Sequence, residues 1–160
     1  MMKKMILSVV LLGMGAMASA EIINNAGMKR LEQDAVTLLS QANITPERSM
    51  AFLKNNRFDL DDVNWKQPAQ VIHGPYHMID GDEEADNTPY LFAYNQGENI
   101  VGVGGFLQPA LLKKLQALPQ VTCQNTQSYP ELWACAHSSA PVENTKQFLR
   151  DLQWLMENSN

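Results

Sequence analysis

The sequence predicts an α+β domain built on a mainly antiparallel sheet of about five strands. Near both ends of the mature chain, apolar residues recur every three or four positions, the spacing of the buried face of an amphipathic helix. Between these segments, short runs rich in Val, Ile, Tyr and Phe are separated by turn residues, as in antiparallel strands. The predicted order is two helices, three strands, one inserted helix, two strands and a C-terminal helix, which is an α+β arrangement.

An N-terminal pair of helices comes first. Residues 24–41 carry one apolar stripe with charged residues mostly between its positions. Thr45 is suited to cap a second helix and Pro46 to occupy its first turn, where the N–H that proline lacks has no partner. We expect this helix to stop near Asn55. The stripe of the first helix comprises Met28, Leu31, Ala35, Leu38, Leu39 and Ala42.

Strand-like patterns follow. A strand over 71–79 is interrupted by Gly74-Pro75, and further strands are predicted over 90–94 and 100–103. Residues 95–99 have the length and composition of a hairpin loop.

The second half of the chain returns to helices and strands. Pro109 opens the inserted helix, and strands over 121–123 and 132–136 follow. Pro141 begins the last helix. Its stripe comprises Val142, Thr145, Phe148, Leu149, Leu152 and Leu155.

The stretch Gly102-Val103-Gly104-Gly105 lacks the spacing of a phosphate-binding loop. We expect these glycines to let the chain bend out of the sheet and pack closely under the helix that follows.

The first twenty residues predict a cleaved export signal. Lys3 and Lys4 precede an apolar run of about 13 residues, too short to cross a bilayer. Ala18-Ser19-Ala20 then supplies the small-x-small pattern of a signal-peptidase site. We expect residues 21–160 to form a single soluble domain without a membrane span, located in the periplasm or secreted.

The mature chain is acidic. The sequence has 12 Lys and Arg against 17 Asp and Glu, and removing Lys3 and Lys4 takes the formal net charge from −5 to −7. Nucleic acid and anionic membrane surfaces require Lys/Arg clusters, so this composition disfavours both. A basic partner protein is the natural complement.

Cys123 and Cys135 are the two cysteines. An even count in an exported chain favours a disulfide, which would close a loop of about a dozen residues and contribute about 3 kcal/mol. A metal site at this place would need further ligands, and only His137 lies nearby in the sequence.

His73 and His77 are candidate metal ligands. Gly74-Pro75 excludes a helix between them, and a bend there would bring both imidazoles to one metal ion close to Asp80. These residues define the alternative function, a small secreted hydrolase or metal-dependent enzyme. The competing interpretation, which we adopt, makes both histidines ordinary strand or turn residues and implies no cofactor.

The acidic run 80–86 has the alternating oxygens of a calcium loop. Ala85 and Leu91, however, stand where such a loop needs glycine and a bidentate glutamate. A solvated loop between strands is the simpler interpretation.

Partner contacts are predicted at two places. The disulfide-closed loop 124–131 carries Tyr129, with Trp133 just beyond it, and both are residue types enriched in binding hot spots. In the acidic loop, the charges that would steer a basic partner are Asp82, Glu83 and Glu84.

From about Ala42 to Cys135 the layout resembles the globular head of type IVb pilins and related minor pilins. The most similar stretch is 100–118, IVGVGGFLQPALLKKLQAL, which looks like their strand-loop-helix unit. The prepilin Gly-Phe followed by Glu is absent, so the resemblance implies a pilus-associated protein more than a filament subunit.

These observations predict an exported, non-enzymatic domain that binds another envelope or secreted protein. Two versions stay open: a pilus or secretion accessory protein, and an immunity-type inhibitor of an exported toxin.

Overall fold

A computed structural model of the protein describes residues 22–61, 63–77 and 90–158. Its four helices are α1 (Asn25–Leu39), α2 (Pro46–Asn55), α3 (Pro109–Gln116) and α4 (Val142–Asn158). Its strands are β1 (Ile22–Ile23), β2 (Ala69–His73), β3 (Tyr76–His77), β4 (Phe92–Gln96), β5 (Asn99–Gly105), β6 (Val121–Asn125) and β7 (Trp133–His137). The predicted α+β class and the positions of the helices are confirmed.

The N-terminal helices begin at side-chain caps. Asn24 Oδ1 accepts a 2.9 Å hydrogen bond from Gly27 N, and Thr45 Oγ1 accepts one of 3.2 Å from Arg48 N. Pro46 occupies the first turn of α2, as predicted. Each cap pairs a backbone N–H that has no partner within its helix.

Five strands form one antiparallel sheet in the order β2-β4-β5-β7-β6. The hairpin between β4 and β5 turns at Gly97, whose positive φ of 62° suits glycine. Among the described strands, β2 and β6 are therefore the two edges of the sheet.

The chain leaves the five-stranded sheet at Gly74. A Cβ at this glycine would lie 2.1 Å from Leu91 O, so no larger residue fits without rearrangement. Tyr76–His77 then pairs in parallel with Ile22–Ile23 in a separate two-stranded sheet. The segment expected as one interrupted strand is thus divided between two sheets.

The two faces of the sheet carry two cores. The face covered by α1, α2 and α3 includes a cross-strand row of Ile72, Ala93, Val103 and Cys135. The opposite face is covered by α4, which contributes Phe148, Leu149 and Leu152. The sheet residues of this second core are Phe92, Tyr94, Val101 and Ala134. Helix–sheet–helix layering buries apolar side chains on both sides.

An irregularity in β5 serves both cores. Tyr94 pairs with Gly102 and Asn95 with Ile100, so Val101 has no directly opposed residue. This extra residue changes the alternation. Ile100 and Val103, three positions apart, therefore both join the core under α1–α3, whereas Val101 joins the core under α4.

Gly104 sets the distance between the sheet and α4. A Cβ there would lie 2.6 Å from Leu152 Cδ1 and 2.9 Å from Phe148 Cζ. The close packing expected for the glycine-rich stretch is present, but it is made by α4 and not by α3, the helix that follows.

The predicted disulfide joins Cys123 and Cys135. These residues face each other on β6 and β7, with a Cα–Cα distance of 4.0 Å. The bridge therefore ties β6, an edge of the described sheet, to its neighbour β7.

His137 connects the sheet to the turn after α1. The ring is 3% exposed; Nε2 lies 2.8 Å from Gln41 O, and Nδ1 lies 3.1 Å from Ser139 N. Nε2–H donates and Nδ1 accepts, so both ring nitrogens are engaged. This places His137 in a structural role.

Among the residues that the structure describes, no helix is long and apolar enough to cross a membrane.

Candidate binding groove

Trp154 on α4 is the most conspicuous exposed aromatic side chain in the described chain. Its side chain is 61% exposed, whereas Phe148, Leu149 and Leu152 of the same helix are buried. Trp154 lies outside the apolar stripe of α4, so packing against the sheet does not account for it. Large exposed aromatics are enriched at protein-binding surfaces.

A groove separates Trp154 from the edge strand β2. We name it the β2 groove; its volume is about 310 Å³. Ala69, Val71 and Leu155 supply apolar surface, while Asp151 and His73 supply polar groups. The remaining lining residues are Gln67, Gln70 and Trp154.

The outer edge of β2 is open along part of the groove. His73 O accepts a 2.9 Å hydrogen bond from Asp59 N, so the backbone groups of His73 point away from β4. Backbone groups alternate in direction along a strand, and those of Val71 and Ala69 therefore point outward too. Neither residue has an outward backbone partner among the described residues.

The loop after α2 lies along the other side of this edge and covers it at His73. Asp59 and Val63 line a smaller cavity of about 100 Å³ that also includes Val71. Gln70 holds the loop in place, since its amide exchanges hydrogen bonds with Asn64 N and Asn64 O. Val71 thus lies between α4 on one side and this loop on the other.

Tyr94 lies beneath the groove, directly opposite Val71 in the sheet. The phenol stacks on Phe148 with ring centroids 4.5 Å apart, and its hydroxyl has no hydrogen-bond partner among the described residues. Burial, together with the negative charge of Asp151, raises the pKa of Tyr94 to about 12. The hydroxyl therefore stays protonated at neutral pH.

The structure places His73 and His77 in different sheets. The His73 ring meets Phe92 edge-on at 5.3 Å on the α4 side, whereas His77 Nε2 lies 3.3 Å from Asn25 Oδ1 beside α1. Across 22–61, 63–77 and 90–158, no three His, Cys, Asp or Glu side chains are grouped so as to hold a metal ion. Asp80, the third predicted ligand, lies outside the described residues.

The structure describes two of the five predicted partner residues, Tyr129 and Trp133. Tyr129 is half-buried against the core under α4, and Trp133 is half-buried against the core under α1–α3. Tyr129 N donates to Thr126 Oγ1 at 3.1 Å, which folds the disulfide-closed loop back on itself. The acidic residues Asp82, Glu83 and Glu84 lie outside the described residues.

A second cavity, of about 420 Å³, lies between β1, α1 and the end of α2. Arg30 and Arg57 line it, and Arg30 Nη2 donates to Asn55 O at 3.2 Å. This contact gives the Arg30 side chain a structural role, because it ties α1 to the end of α2.

Comparison with protein-family models, with curated protein sequences and with solved structures finds no match to this chain. The site rests on the geometry described above.

Of the residues that line the β2 groove, sequence reasoning selected only His73, and it did so as a candidate metal ligand. Trp154 carried one usable signal, because it falls between the stripe positions Leu152 and Leu155 of the predicted helix. The proximity of α4 to β2 depends on strand order, which the sequence pattern does not give.

Proposed function

We propose that this chain is an exported, non-enzymatic protein-binding domain and that its partner, another envelope or secreted protein, contacts the β2 groove. The observation that carries this proposal is the exposed Trp154 beside an apolar groove and an open strand edge. Burying an exposed tryptophan against a partner removes a large apolar surface from water.

The chemistry of the groove supports binding over catalysis. Trp154, Leu155, Val71 and Ala69 offer contact area, and one carboxylate, one imidazole and two amides provide polar contacts. Protein-binding sites commonly have an aromatic centre and a polar rim.

The two versions of the function share this surface. A pilus or secretion accessory protein would present the groove to an assembly component, in keeping with the resemblance of residues 42–135 to pilin heads. An immunity-type inhibitor would use it to cover an exported toxin. The net charge of −7 for the mature chain favours a basic partner in either version.

Photo-crosslinking at Trp154 tests the proposal. Benzoylphenylalanine replaces Trp154 in the exported chain, and the producing cells are irradiated intact. We expect one discrete protein adduct, because a photoreactive group in the interface lies within reach of the partner. Mass spectrometry of the adduct identifies that partner.

Val142 supplies the matched control. It lies on the same helix and is 65% exposed, but it does not line the groove. Benzoylphenylalanine at position 142 should give no such adduct. Equal adducts at both positions, or none at position 154, would contradict the proposed site.

A further inference from the structure

We propose that the partner binds by adding an extended segment to the outer edge of β2, with an arginine or lysine of that segment lying on Trp154 beside Asp151. This inference rests on the proposed function and specifies the recognition chemistry of the same groove. Strand addition is a recurring way in which sheets with an open edge bind peptides.

The backbone of β2 has outward-pointing groups that can pair with an added strand. Gln70 and Ile72 form the ladder bonds to β4, because the groups of His73, Val71 and Ala69 point outward. Edge strands are commonly protected by charged residues, proline, bulges or a covering loop. The loop that contains Asp59 covers this edge at His73, whereas Ala69 and Val71 carry no charge and their outward backbone groups have no backbone partner among the described residues.

The walls of the groove limit what can approach that edge. On one side is α4, and on the other is the loop that contains Asp59 and Val63. An extended chain is narrow enough to lie between two such walls and rises about 3.3 Å per residue. A segment of three to five residues would span the open part of β2.

Trp154 and Asp151 indicate that the side chain of the bound segment that lies beside them is cationic. They are three positions apart on α4 and therefore neighbours on one face of the helix. An aromatic face attracts a cation, and a carboxylate pairs with it; a guanidinium does both at once. Asp151 Oδ1 accepts from Gln147 Nε2 at 2.7 Å, which fixes the carboxylate in position.

Charge favours a basic segment over a second copy of this chain as the partner that binds the edge of β2. Two copies joined through β2 would bring two Asp151 carboxylates towards the same interface, each on a domain with a net charge of −7. Like charges brought together at an interface disfavour the contact. A basic segment meets no such penalty.

Blocked pentapeptides test strand addition directly. The probe is acetyl-Thr-Val-Arg-Val-Thr-amide, whose alternate residues point to the same side. In the proposed antiparallel pairing, with arginine opposite Val71, the arginine backbone N–H donates towards β2 and the N–H of the following valine points to solvent. Methylating the backbone nitrogen of the arginine should weaken peptide binding about tenfold or more. Methylating the backbone nitrogen of the following valine should leave peptide binding nearly unchanged.

The readout is the amide NMR signal of Val71 together with the indole signal of Trp154. The parent peptide should shift both signals and slow hydrogen exchange at Val71. Replacing its arginine by neutral citrulline, or Asp151→Asn in the protein, should weaken binding several-fold. Val71→Pro removes the outward donor without touching the ladder, so it should reduce peptide binding in a folded chain.

Three results would overturn the inference. They are equal binding of the two N-methylated peptides, no shift of Val71 with up to about 10 mM parent peptide, or dimerisation of the chain that Val71→Pro abolishes. The peptide pair keeps the test valid if Val71→Pro fails to fold. If Trp154 crosslinks to a partner while the two methylated peptides bind equally, only the strand-addition mode fails and the proposed function stands.

Discussion

At the scale of single residues, the hydroxyl of Tyr94 is a local cost in the core under α4. The side chain is 1% exposed, and its oxygen has no hydrogen-bond partner among the described residues. Burying a polar group without a partner is unfavourable, whereas the ring itself stacks well on Phe148.

Tyr94→Phe should therefore raise the free energy of unfolding by about 1 kcal/mol at neutral pH. The substitution keeps the stacked ring and removes only the hydroxyl. Urea denaturation followed by circular dichroism measures the change. A loss of stability would mean that the hydroxyl has a partner in solution.

Tyr94→Phe should also change how the free energy of unfolding depends on pH in the alkaline range. The pKa of Tyr94 is raised by burial from its ordinary value of 10.0 to about 12. The folded state then holds this proton more tightly, so stability falls as pH rises from about 10 to about 12. Tyr94→Phe should show a shallower fall than the unsubstituted chain in this window. Burial also raises the pKa of Tyr90, which accounts for part of the remaining slope.

At the scale of elements, the contact between β5 and α4 depends on Gly104. Gly104→Ala should destabilise the fold by about 1–3 kcal/mol, because the new methyl group overlaps Leu152 and Phe148. Thermal unfolding reports the loss.

Gly97→Ala is the comparison variant. A methyl group at Gly97 meets nothing within 4 Å, so its cost of about 1 kcal/mol comes from the positive φ alone. If Gly104→Ala costs no more than Gly97→Ala, α4 yields to the methyl group and the packing is looser than described.

Sequence pattern predicted the elements because their signals are local. The stripe from Leu31 to Leu39 and the capping pair Thr45-Pro46 depend on residues within a few positions of one another. The division of residues 71–77 between two sheets was not predicted. It depends on Leu91 O packing against Gly74, a contact distant in sequence.

The candidate site was less predictable for the same reason. Val71 and Trp154 are both apparent in the sequence, but their proximity requires β2 to be an edge strand and α4 to cover that face. The two histidines show the converse: their spacing offered a shared metal site only as the alternative interpretation, and the sheet change after Gly74 places them in different sheets.

At the scale of the whole molecule, the disulfide contributes by restricting the unfolded chain. Replacing both Cys123 and Cys135 by Ala should lower the free energy of unfolding by about 3 kcal/mol. The unsubstituted protein should show negligible thiol labelling until a reductant is added. Ready labelling of the native protein without reductant would contradict the pairing in solution.

The order of the elements along the chain also determines which of the two cores is the last to form. Among the described helices, α4 alone covers its face of the sheet, and it follows every described strand in the chain. In the export that we propose for this chain, the N-terminus crosses the membrane first, and α4 therefore arrives after the strands that it covers. Until α4 docks, Phe92 and Val101 lack their cover and the β2 groove lacks its wall. A partner that recognises the groove would therefore select molecules that have finished folding over translocation intermediates.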